Sequence, residues 1–240
     1  MSMKKDVRYM SPGTTASLAA ALLIGGCNPA AKDKTPQTVQ TVEAAPPASV
    51  SSPDPAAAGP TVLFIGTSLT AGLGLRPEQA YPALIQAKAD SAGTPLTAVN
   101  AGVSGETSAG ALNRIDWVLR SPADVVVLET GANDALRALP VSEARSNIAE
   151  ILDRIKAAKP HAKIFLIQME APPNLGQQYT TAFHKMYADL AREKGATLIP
   201  FLLNGVAGHA DLNQADGLHP NVTGEEIVAT NVWNSLKKVL

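Results

Sequence analysis

Five short apolar runs, rich in β-branched residues, recur between residues 61 and 200, and each is followed by a longer segment of helical character. They are 61–65 (TVLFI), 96–100 (LTAVN), 124–129 (DVVVLE), 163–168 (KIFLIQ) and 196–200 (ATLIP). Nearly every position in them is apolar, with little alternation, which suits strands covered on both faces. The segments 78–91, 107–119, 141–159, 179–194 and 221–238 read as helices, and in the third Ile148, Ile151, Leu152 and Ile155 fall on one face. Its start is weakly marked, because Ser142 is followed by Arg145 where a capping box would place an acidic residue. Strand and helix alternating in this way predict an α/β fold with a parallel sheet flanked by helices.

In such sheets a ligand site lies beyond the carboxyl ends of the strands, near the point where the strand order reverses. Four polar, glycine-bearing loops fall there: 66–70 (GTSLT), 101–108 (AGVSGETS), 130–137 (TGANDALR) and 215–220 (ADGLHP). Asp216 and His219 are about one helical turn apart, so the carboxylate can hold one imidazole nitrogen and leave the other free to take a proton. A serine hydroxyl is a poor nucleophile without such a base, and Ser68 sits at a strand-to-helix turn where its own N–H can face a developing oxyanion. Gly102 permits close backbone approach and Asn133 offers a side-chain amide donor. Alone, Ser68 and Asn133 read equally well as turn residues and His219 as a surface histidine; their common placement at one sheet edge favours a site.

These blocks, with LTAGLGL, AYPALIQ, NAGVSGETSAG, QMEAPPN and DGLHPN, resemble the SGNH or GDSL-type serine hydrolases over nearly all of residues 61–240. The resemblance is greatest to the arylesterase and thioesterase/protease/lysophospholipase branch. It implies a three-layer α/β/α sandwich of the flavodoxin-like kind and hydrolysis of esters or thioesters through an acyl-enzyme, without metal or cofactor. It assigns Ser68, His219 and Asp216 as the triad, and Ser68, Gly102 and Asn133 as the oxyanion hole. The same machinery would serve a deacetylase of sugars or cell-wall glycan, and a non-catalytic acyl- or glycan-binding protein could use the same fold. Aromatic residues make up only 4% of the chain, which favours acyl esters over stacked sugars.

One position departs from the family: Thr67 stands where the first block usually has aspartate. The implied role of that aspartate is to tie down the nucleophile turn. Threonine offers one hydroxyl for that network and no charge, so Thr67→Asp is expected to preserve or raise activity. Asp134 reads as a residue that holds its loop in shape. Glu129 and Glu170 lack the one-turn spacing to a histidine, and His161, His184 and His209 read as surface or loop residues. A metal cluster of His209, Asp211, Asp216 and His219 is disfavoured by its loose spacing. No phosphate-loop Gly-Lys-Ser/Thr follows the first strand, and Ser68 is not in a Gly-x-Ser-x-Gly elbow. Asn221-Val222-Thr223 matches a glycosylation sequon but falls where a helix should start. Residues 169–179 (MEAPPNLGQQY) and 135–139 are expected to line an acyl groove, with Leu136, Met169, Pro172 and Pro173 as the contact candidates.

The amino terminus carries a different message. Lys4, Lys5 and Arg8 precede a short apolar run that ends in Ile24-Gly25-Gly26-Cys27, the pattern of a signal segment (1–26) closing on a lipobox-like cysteine. The run is about half of the ~20 residues that a membrane-spanning helix needs. Cys27 is the only cysteine, so no internal disulfide is available. Residues 27–60 are rich in Ala, Pro, Thr and Ser without an aromatic, and read as a tether spanning about 30 Å as a coil. The expectation is a lipid anchor at Cys27 in a bacterial cell envelope, in the outer membrane facing the periplasm, with a monomeric hydrolase domain at 61–240. A formal net charge of −1 and no basic block argue against nucleic acid as a partner.

Overall fold

The computed structural model describes residues 59–240. The signal segment, Cys27 and all but the last two residues of the tether lie outside the described residues. The strands are β1 (Thr61–Gly66), β2 (Thr97–Gly102), β3 (Val125–Leu128), β4 (Lys163–Ile167) and β5 (Thr197–Ile199). They form one sheet in the order β2-β1-β3-β4-β5, with every pair parallel. All five coincide with the apolar runs, shifted by two residues at most. The helices are α1 (Ser68–Ala71), α2 (Tyr81–Ser91), α3 (Ser108–Val118), α4 (Ala132–Leu136), α5 (Val141–Ala158), α6 (Gln177–Lys194) and α7 (Val222–Leu236).

The strand order explains the layering. The chain steps outward from β1 to β2, returns across β1 to β3, and then proceeds to β4 and β5. Right-handed crossovers therefore send the helix after β1 to one face and those after β2, β3 and β4 to the other. The packing follows: α2 lies against α7, while α3 and α6 each lie against α5. The result is a three-layer α/β/α sandwich, with the reversal at β1 and β3.

The central strands carry the core. Val62 to Ile65 in β1 and Val125 to Leu128 in β3 are all buried, each worth roughly 1.5–3 kcal/mol for a fully buried aliphatic or aromatic side chain. Helix α5 adds Ile148, Ile151, Leu152 and Ile155, the face read from its periodicity. Helix α2 starts at Tyr81, three residues later than the pattern indicated, because Pro77–Gln79 form a separate 3-10 turn and Pro82 occupies the first helical turn. Helices α1 and α4 were not legible in the sequence. At four and five residues they are too short to show an amphipathic period.

Candidate active site

Strand β1 ends in a turn that only glycine can begin. A Cβ on Gly66 would run into Thr70 Oγ1 and lie 2.7 Å from Glu129 Oε2. The chain then passes Thr67 in extended conformation and starts the single turn α1 at Ser68, which Gly72 closes in the left-handed region at φ 70°. Ser68 is only 7% exposed. Its N–H lies at the start of the helix, where no intrahelical acceptor is available.

The last loop brings His219 to it. His219 Nε2 lies 2.8 Å from Ser68 Oγ, and His219 Nδ1 lies 2.6 Å from Asp216 Oδ2. The other carboxylate oxygen, Asp216 Oδ1, accepts the N–H groups of Leu218 (2.9 Å) and His219 (3.0 Å). Bonding to the His219 side chain, and then these two N–H bonds, hold the Asp216 carboxyl down at about 2. Asp216 thus stays ionised and keeps His219 in the tautomer with its proton on Nδ1. Gln214, which the sequence did not single out, ties this loop to the one that follows Ser68: its Nε2 donates to Leu73 O (2.7 Å) and Pro220 O (2.9 Å). The sequon asparagine Asn221 is the N-cap of α7, with Oδ1 accepting from Gly224 N at 3.1 Å.

Asn133, in α4, lines the same cavity as Ser68 and His219. Its Nδ2 donates one hydrogen to Glu106 O at 3.0 Å, which leaves the second for a ligand. Asp134 is buried and accepts from Ser108 N (2.7 Å) and Ser108 Oγ (2.5 Å), tying α4 to the start of α3.

Gly102 requires a correction. It is the last residue of β2, its N–H is committed to Asn100 Oδ1 at 2.9 Å, and it does not line the cavity. It is glycine for packing: a Cβ there would strike Ala71 N and sit 2.9 Å from Thr67 O. The glycine of this loop that lines the cavity with Ser68 and Asn133 is Gly105, at φ +77°. Among the described residues its N–H has no acceptor. Of the two glycines, only Gly105 therefore has an N–H free to meet a ligand in the cavity.

The cavity has a volume of about 540 Å³. Leu136, Met169, Pro172 and Pro173 all line it, as the sequence indicated, together with Leu73, Phe201, Leu203 and Leu218, which it did not. Glu170 is on its wall, with Oε1 accepting from Gln168 Nε2 (2.6 Å) and facing His184 Nδ1 (2.7 Å). That pair is fourteen residues apart, a separation that carries no sequence signal. Among the described residues no group of three or more His, Cys, Asp or Glu is gathered to hold a metal.

Comparison with known proteins fits this geometry. The model of the GDSL-like Lipase/Acylhydrolase family matches residues 64–227. The chain belongs to this family. Esterase TesA of Pseudomonas aeruginosa PAO1 is 38% identical over 186 residues, covering 77% of this chain and 91% of the relative. Thioesterase 1/protease 1/lysophospholipase L1 of Escherichia coli K12 is 35% identical over 175 residues, covering 72% and 82%. The crystal structure of the psychrotrophic esterase EstA from Pseudoalteromonas sp., inhibited by monoethylphosphonate, superimposes with a TM-score of 0.70 at 35% identity, over 74% of this chain and 97% of that one. As a member of this family, the protein is a carboxylic ester hydrolase.

Proposed function

We propose that the protein is a serine esterase that cleaves acyl esters or thioesters through an acyl-enzyme on Ser68. The observation that carries the reading is the chain of contacts from Ser68 Oγ through His219 to Asp216, at 2.8 and 2.6 Å. His219 Nε2 takes the Ser68 proton as Oγ bonds to the substrate's carbonyl carbon. The tetrahedral oxyanion forms against the N–H groups of Ser68 and Gly105 and the free Nδ2 hydrogen of Asn133. Each such donor contributes about 3 kcal/mol of barrier lowering. The intermediate collapses, and the alcohol or thiol leaves with the proton from His219. Water, deprotonated by the same nitrogen, then releases the acid and restores Ser68.

The mostly apolar wall supports an acyl chain as the part held, and a volume of about 540 Å³ is ample for one. The thioesterase and lysophospholipase activities in the name of the E. coli relative are carried over as candidate substrates of the same class. The proposal includes a lipid anchor at Cys27, a cell-envelope location and a monomeric hydrolase. The test of the site is labelling by a fluorophosphonate, which adds to activated serines, beside a Ser68→Ala variant. Labelling that disappears in the variant is expected; a folded wild-type protein that does not label overturns the reading.

A further inference from the structure

We propose that Glu129 is the positioning residue of the nucleophile turn, acting through Thr67 and Thr70, which both donate to its buried carboxylate. The inference rests on the reading of Ser68 as nucleophile and adds the device that aims it. Glu129 directly follows β3, the strand that pairs with β1, so its side chain reaches beneath the turn that β1 feeds. It is completely buried. Its Oε2 accepts Thr67 N–H at 2.7 Å and Thr70 Oγ1 at 2.9 Å, and the Thr67 hydroxyl lies 3.0 Å from both oxygens. Thr70 Oγ1 is also 2.9 Å from Tyr81 OH, so the cluster extends into α2. Gly66 leaves the space that the carboxylate fills.

A carboxylate buried without a cation is costly unless donors surround it. None of the ion pairs formed among the described residues includes Glu129. Burial pushes its carboxyl upward, and the Thr67 and Thr70 bonds oppose that push. The ionisable groups facing it are Tyr81 from α2 and Tyr187 from α6, with Glu225 of α7 behind Tyr81, so no neighbour supplies a positive charge. The donors are therefore what holds the carboxylate, and in turn the carboxylate fixes the peptide that leads into Ser68. The acidic side chain missing at position 67 in the sequence is present at 129.

Thr67 then has a definite role: it meets Glu129 as a donor. An aspartate there would bring a second carboxylate to about 3 Å from the first, and two carboxylates at that distance share one proton. The turn would be held only while the shared proton remained.

The test measures kcat and KM for a short p-nitrophenyl ester from pH 6 to pH 9, in the wild type, Thr67→Val, Thr67→Ser and Thr67→Asp, with Ser68→Ala as control. Thr67→Val removes the hydroxyl at constant shape and is expected to lose about tenfold in kcat with KM within about twofold, whereas Thr67→Ser recovers most of the loss. For Thr67→Asp, kcat relative to wild type is expected to fall about tenfold as pH rises across that range. Each protein's change with pH is read within one preparation, so the amount of folded protein cancels from it. Wild-type kcat in Thr67→Val, a loss confined to KM, or a flat Thr67→Asp ratio overturns the inference while leaving the Ser68 reading intact. Undiminished turnover in Ser68→Ala overturns both.

Discussion

Arg114 grips Glu106 with two prongs, Nε to Oε1 at 2.6 Å and Nη2 to Oε2 at 2.7 Å, while its Nη2 also donates to Ala101 O at 2.8 Å. The backbone carbonyl of the same Glu106 is what Asn133 Nδ2 binds. One guanidinium on α3 thus braces the loop that presents Gly105 and, through Glu106, the Asn133 side chain of the proposed oxyanion hole. The pair is mostly buried, with 19% and 7% of the two side chains exposed, so it is not discounted as a surface ion pair would be.

Loss of that brace should appear in turnover. Arg114→Met is expected to lower kcat about tenfold or more with little change in KM, because the hole serves the transition state more than the bound ester. Arg114→Lys keeps the charge without the fork and should fall between. Steady-state kinetics on one chromogenic ester decide it; a change confined to KM would assign Arg114 to substrate binding instead.

The two glycines of the 101–108 loop should separate cleanly. Gly102→Ala drives a Cβ into the backbone of Ala71 and should destabilise the fold, lowering Tm by several degrees. At Gly105 a Cβ has ordinary space, its nearest neighbour being Arg137 Nη2 at 3.9 Å, but φ is +77°. Gly105→Ala should therefore cost about 1 kcal/mol in stability and about tenfold or more in kcat, through tilting of its N–H. Equal kinetic losses in folded Gly102→Ala and Gly105→Ala would return the donor role to Gly102.

Glu225 gives a pH signature of stability. It is 1% exposed, its Oε2 accepts Tyr81 N–H at 2.9 Å, and burial raises its carboxyl from the ordinary 4.5 to about 8. Between those values the folded state holds a proton that the unfolded chain has released, so stability falls as pH rises through the window. Asp216 acts in the opposite direction: held at about 2 against an ordinary 3.8, it contributes stability that is lost as pH falls through that range. Thermal melts from pH 4 to pH 9 should show Glu225→Gln with a flatter profile and a higher Tm than wild type at the alkaline end. Parallel profiles would mean that Glu225 is solvated in the folded protein.

The sheet and the Asp216–His219 contact were legible because their signals are local. Strands buried on both faces announce themselves as unbroken apolar runs, and Asp216 and His219 lie one turn apart on a glycine-bearing loop. The choice between Gly102 and Gly105 was not legible, since both are glycines of one loop and the difference is that Asn100 already occupies one N–H. Glu129 stood out in the sequence only for lacking the one-turn spacing to a histidine. Its actual partners, Thr67 and Thr70, are 62 and 59 residues away and meet it only because β1 and β3 are neighbours. Gln214 and Leu73 are joined across 141 residues for the same kind of reason. Apolar wall residues such as Phe201 and Leu203 carry no local mark that separates cavity from core.

Every strand of the sheet runs in the same direction, so the edge where β1 begins at Thr61 is the edge opposite Ser68. On the proposed anchoring at Cys27, the leash would join the domain at the end of the sheet away from the mouth of the cavity. Soluble esters would reach that mouth whatever the leash length. Under the same proposal, the length of the leash would govern access to lipids of the anchoring membrane without altering any residue that touches them.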